Sequence, residues 1–146
     1  MRLASSLLGL SLSLILVACG GDSSPGVDVA AGPLEVRGSW SDNWGTDWEI
    51  TGQRWGAWTV ESFDNDANVG VVRYPADDIY SPNTYSKVAW TDVSETDRTW
   101  AYCSVNFGKD TAAAASDDPA APDAGDLEGV GCGGFPWTLM VPKAAD

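Results

Sequence analysis

The stretch "SDNWGTD" sets Asp42, Asn43 and Asp47 around the indole of Trp44. An aromatic face beside short oxygen-bearing side chains can stack on a sugar ring while the oxygens bond its hydroxyls. Trp55 and Trp100 are further candidates for such a platform. The competing reading is that the eight tryptophans fill a small core, each ring burying about 150–250 Å². A second cluster, "DNDAN", offers Asp64, Asp66 and Asn68 as calcium ligands, with oxygens at alternate positions. Val69 stands where an EF-hand needs glycine, and Pro75 where it needs the bidentate glutamate. A plain Asx-type turn therefore competes with the calcium reading.

The chain has no histidine. Ser-His-Asp and Cys-His catalysis are excluded, as is an imidazole general base. What remains is paired carboxylates, lysine, tyrosine or a metal. Asp77 and Asp78, and likewise Asp117 and Asp118, read as solvated faces. Sequence sets no separation between carboxylates, so no glycosidase mechanism follows. A carboxylate-dependent hydrolase is the residual enzyme reading, and a non-enzymatic binding or structural role is the leading one. The formal charge of −13 argues against nucleic acid as a partner.

The three cysteines divide by position. Cys19 ends a leader in which Arg2 precedes a short apolar run, too short to span a bilayer. Leu16-Val17-Ala18-Cys19 resembles the lipobox of bacterial lipoproteins. The resemblance implies removal of residues 1–18, acylation of Cys19 and anchoring to a lipid bilayer of the bacterial cell envelope. Gly20 and Gly21 follow, and Asp22 comes one place too late for the inner-membrane retention signal of that family. This favours the outer membrane where the source has one. Two or three acyl chains on one residue suffice for durable attachment. "GGDSSPGVDVAAGP" reads as a tether over residues 19–33. Outside the cytoplasm, Cys103 and Cys132 are expected to pair. A thiolate metal site is the alternative, disfavoured by the lack of histidine and of a third thiol after processing.

The elements that must position these residues are strands. "LEVRGSW", "TDWEITG", "RWGAWTVESF", "VGVVRYP", "YSKVAWTDV", "RTWAYCSVNF" and "WTLMV" show period-two patterning between turn formers. The expectation is one all-β, mainly antiparallel domain over 34–143. It forms a small closed barrel or barrel-like sandwich of 6–7 strands. One short helix is expected near 111–117, capped by Asp110 or Thr111.

"GSWSDNWGT", "ITGQRW", "NDAN", "YSKVAWT", "WAYC" and "GCGGFPWT" resemble, in that order, pieces of a group of small tryptophan-rich secreted domains found in bacterial lipoproteins. Members often carry a histidine shortly after the "DNWGT"-like piece, where this chain has Trp48. The resemblance implies one extracytoplasmic domain and no particular mechanism. The ligands it leaves open are a saccharide, a protein or calcium.

Overall fold

The computed structural model describes residues 32–144. The leader, Cys19 and residues 19–31 of the tether lie outside the described residues. Eight strands run in chain order: β1 Gly38–Asp42, β2 Asp47–Ile50, β3 Arg54–Trp55, β4 Trp58–Asp64, β5 Val69–Arg73, β6 Tyr85–Trp90, β7 Trp100–Ser104 and β8 Thr138–Pro142. Each pairs antiparallel with its neighbour, and β8 pairs with β1, so the sheet closes on itself. Closure leaves the described sheet without a terminal edge strand.

The strand number exceeds the expected six or seven because "RWGAWTVESF" is two strands. Trp55 pairs with Trp58 across a two-residue loop, Gly56-Ala57. Gly56 takes φ +58°, which suits the glycine-first hairpin turn. A bulge between Val60 and Ser62 then bends β4.

Large rings fill the barrel. Trp40 and Trp100 meet edge-on with centroids 5.4 Å apart, and Trp55 and Trp100 at 5.7 Å. Val72, Val88 and Met140 close the gaps. The indole N–H groups of Trp55 and Trp100 have no hydrogen-bond partner among the described residues.

Strand β7 is buried on both sides. Trp100 and Tyr102 face the barrel core, while Ala101 and Cys103 join Ala89 and Trp137 in a second cluster. The long connection from β7 to β8 covers that cluster. The Cys103–Cys132 disulfide, with Cα atoms 5.5 Å apart, stitches the connection to the wall. Helix α1, Ala112–Ser116, sits within it. Its N-cap is Thr111, whose Oγ1 accepts a bond from the Ala114 N–H at 3.1 Å. Asn106 ties the helix to β6: its amide donates to Ala115 O at 3.0 Å and its oxygen accepts from Lys87 N at 2.7 Å.

The two ends of the barrel differ. One is closed by residues 33–37. "LEVR" is a turn rather than the start of a strand, but Leu34 and Val36 are buried as the alternation demands. Val36 O accepts the Trp40 indole N–H at 2.8 Å. Asn65 in the β4–β5 loop donates to Pro33 O at 2.9 Å and accepts from Glu35 N at 3.2 Å. The Trp90 indole donates to the Glu35 carboxylate.

Candidate functional site: the open mouth of the barrel

In an up-and-down barrel, alternate loops share an end. The β1–β2, β3–β4 and β5–β6 loops therefore lie together opposite the plug, with the two ends of the β7–β8 connection. The four exposed aromatic side chains among the described residues sit on these segments. Trp44 belongs to the first loop, Tyr80 to the third, and Phe107 and Phe135 to the last.

The floor beneath these rings is also aromatic. Trp58 contacts Tyr74 at 5.1 Å and Trp48 at 5.2 Å, and Trp48 contacts Tyr102 at 6.0 Å, all edge-on. Two concavities open onto this floor. The larger, about 570 Å³, lies between Tyr102, Phe107, Phe135 and Thr138 beside the disulfide sulfur of Cys132. The smaller, about 250 Å³, lies between Trp58, Tyr74, Tyr80, Asp78 and Phe107. Ser104 and Phe107 line both, so they are lobes of one groove. Apolar walls with a few polar groups are the usual make-up of a ligand site.

Polar groups at the mouth are held by the fold. Tyr74 is buried beside Ser86 and Ser104, and among the described residues its hydroxyl has no partner in hydrogen-bond geometry. Burial pushes the Tyr74 phenol up, and does the same more strongly to Tyr102. Asp78 caps its own turn, its Oδ1 accepting from Tyr80 N at 2.9 Å and Ser81 N at 2.7 Å.

The residues singled out from sequence divide sharply. Trp44 is exposed at the mouth, 69 % accessible, as a stacking ring requires. Trp55 and Trp100 are not platforms: at 1 % and 3 % exposure they belong to the core. Their pleat positions face the barrel interior. Asp42 is buried and organises its turn. Its Oδ1 accepts from Trp44 N at 2.9 Å and Thr46 N at 2.7 Å, and its Oδ2 accepts from the Trp48 indole at 3.0 Å. Asn43 bonds across to β8, accepting from Leu139 N at 3.0 Å. Asp47 is held by Ser41 at 2.7 Å and by an ion pair with Lys143 at 2.9 Å, which together lower its pKa. Asp42, Asn43 and Asp47 thus build the Trp44 loop, each through bonds within the barrel.

Of the calcium candidates Asp64, Asp66 and Asn68, the side chains of Asp64 and Asn68 are engaged in bonds that shape the loop. Asp64 Oδ1 accepts from Asp66 N at 2.9 Å and Ala67 N at 3.1 Å. Asn68, at φ +53°, donates to Asp92 at 2.8 Å. This is an Asx turn closed by an asparagine in the left-handed region. Among the described residues, no three His, Cys, Asp or Glu side chains are grouped to hold a metal ion.

Sequence reasoning missed Trp58, Tyr74, Tyr80, Phe107 and Phe135. A signal was present: "DDIYSPN", "NFGK" and "GGFPW" put aromatic rings inside turn-forming stretches, where a ring has little core to enter. No family model, no curated protein and no solved structure matches the chain.

Proposed function

We propose that this chain is a lipid-anchored protein of the bacterial cell envelope, held through acylated Cys19, whose barrel binds a ligand at its open mouth without transforming it. The observation that carries this is the gathering of Tyr80, Phe107 and Phe135 around one groove over an aromatic floor, with Trp44 exposed on a loop of the same end. Exposed rings scattered singly would mean little, but rings clustered around a groove mark a contact surface. The tether supports the same reading. The chain joins the barrel at its plugged end, through Pro33 and Leu34, so an anchor upstream attaches at the end remote from the mouth and leaves the mouth unobstructed by the tether. The disulfide fits a compartment outside the cytosol. The order Cys19-Gly20-Gly21 favours the outer membrane.

The test is the full chain in phosphatidylglycerol nanodiscs with labelled tryptophan indoles, screened against oligosaccharides, organic cations and short peptides. Trp58 and Trp48 signals are expected to move with at least one class. A screen that moves neither overturns the binding role. Mass spectrometry of the native protein checks the anchor, which a mature terminus other than acylated Cys19 overturns.

A second reading, a saccharide shelf, is favoured by Trp44 alone. Its ring is exposed while its backbone is pinned to Asp42. Glycan-array binding that Trp44→Ala abolishes without changing the fold would establish it. Binding that survives the substitution would exclude it.

A further inference from the structure

Resting on that reading of the mouth, the geometry points to an organic cation, an alkylated ammonium group, as the ligand of its smaller lobe. The lobe is walled by Trp58, Tyr74, Tyr80 and Phe107, with Asp78 at its edge. The planes of Trp58 and Tyr74 stand at 66° to one another. Packed edge-on, they wall a corner of the lobe rather than offer a flat shelf for a sugar ring. Ring faces are electron-rich and attract a cation held over them. The strongly hydrated ammonium of a lysine is a poorer occupant than an alkylated one, which gives up less water on entering an aromatic cage.

Charge complementarity agrees. Asp78 is half-buried, and its Oδ1 is occupied by the Tyr80 and Ser81 amides. Its Oδ2 has no hydrogen bond among the described residues and is left to face a cation. Among the described residues, no lysine or arginine lines either lobe of the groove. A formal charge of −13 enriches cations around the whole molecule. The volume of about 250 Å³ suits a small head group rather than an extended chain.

The experiment titrates the full chain in phosphatidylglycerol nanodiscs with choline and with its neutral carbon isostere, 3,3-dimethyl-1-butanol. The readout is the Trp58 indole resonance. Choline is expected to shift it, and the isostere to bind about tenfold more weakly or worse. Asp78→Asn keeps an oxygen for the turn and removes the charge, and should weaken choline about fivefold. Tyr80→Ala removes one wall at a solvent-exposed position and should weaken it to a similar degree without altering circular dichroism. Equal binding of choline and the isostere overturns the cation and leaves an apolar binding mouth. Silence toward choline with a response to oligosaccharides also overturns it, while the binding role stands. Silence toward every compound overturns both.

Discussion

The Trp48 ring occupies the space where Gly56 would carry a side chain. A Cβ on Gly56 would lie 2.7 Å from Trp48 Cε3 and 2.9 Å from Cζ3. Trp48 cannot retreat freely, because its indole N–H is bonded to Asp42 and its ring packs edge-on with Trp58. Gly56→Ala also forces a left-handed backbone on alanine at φ +58°. The substitution is expected to cost about 3 kcal/mol, from backbone strain and overpacking together. Urea unfolding checks this, and a loss below about 1 kcal/mol would mean that the ring moves aside.

Asp42 holds two loop amides and one indole from inside the mouth. Asp42→Ala leaves these donors without their acceptor and should destabilise by about 2 kcal/mol. Asp42→Asn retains only one acceptor oxygen and should fall between alanine and the native protein. Equal stability of all three forms would show that water replaces the carboxylate at no cost. The Trp48 indole resonance reports the lost bond directly.

Breaking the Cys103–Cys132 bridge frees the β7–β8 connection from the wall. The loop spans 29 residues, and the chain-entropy model assigns its closure roughly 3.5 kcal/mol. Reduction, or the Cys103→Ala/Cys132→Ala pair, is expected to lower the unfolding free energy by about that amount. It should also expose Trp137, whose contacts lie in the cluster beneath the connection. Fluorescence of a reduced sample measures both effects, and an unchanged midpoint would contradict the account.

Alkali should unfold the barrel through Tyr74 and Tyr102. Burial raises both phenols above their ordinary value of 10.0. Below that value the folded and unfolded chains both carry the protons, and the full stability is present. Above it the unfolded chain releases protons that the folded chain keeps, so stability falls as pH rises. Phenolate absorbance from these two residues is expected only together with loss of tertiary circular dichroism. Their ionisation in a still-folded barrel would refute the burial account.

Much of the fold is legible in the chain. Period-two patterning gives the all-β class and closure, and Thr111 and Pro119 bracket the short helix. The pairing of Cys103 with Cys132 was expected and is present. Alternation put Trp100 and Tyr102 on one face and Ala101 and Cys103 on the other, as observed. It could not say which face is dry, and here both are, because a distant segment covers the outer one. Trp100 was therefore legible as a strand residue and illegible as core. Gly56 shows the complementary limit: a glycine inside an apolar run marks a bend only once its two flanks are known to pair. The mouth was least legible. Its rings come from three loops and two strand ends, and only closure of the sheet brings Trp58, Tyr74, Tyr80 and Phe107 together.

The sulfur bridge also fixes what a protease can release. The acidic Ala/Pro stretch from Asp117 to Asp126 lies between its two ends and is largely exposed. Hydrolysis of any peptide bond there yields two fragments that remain one molecule, with the eighth stave still seated between the first and the seventh. Such a nicked form would migrate intact until a thiol is added and only then fall into its pieces.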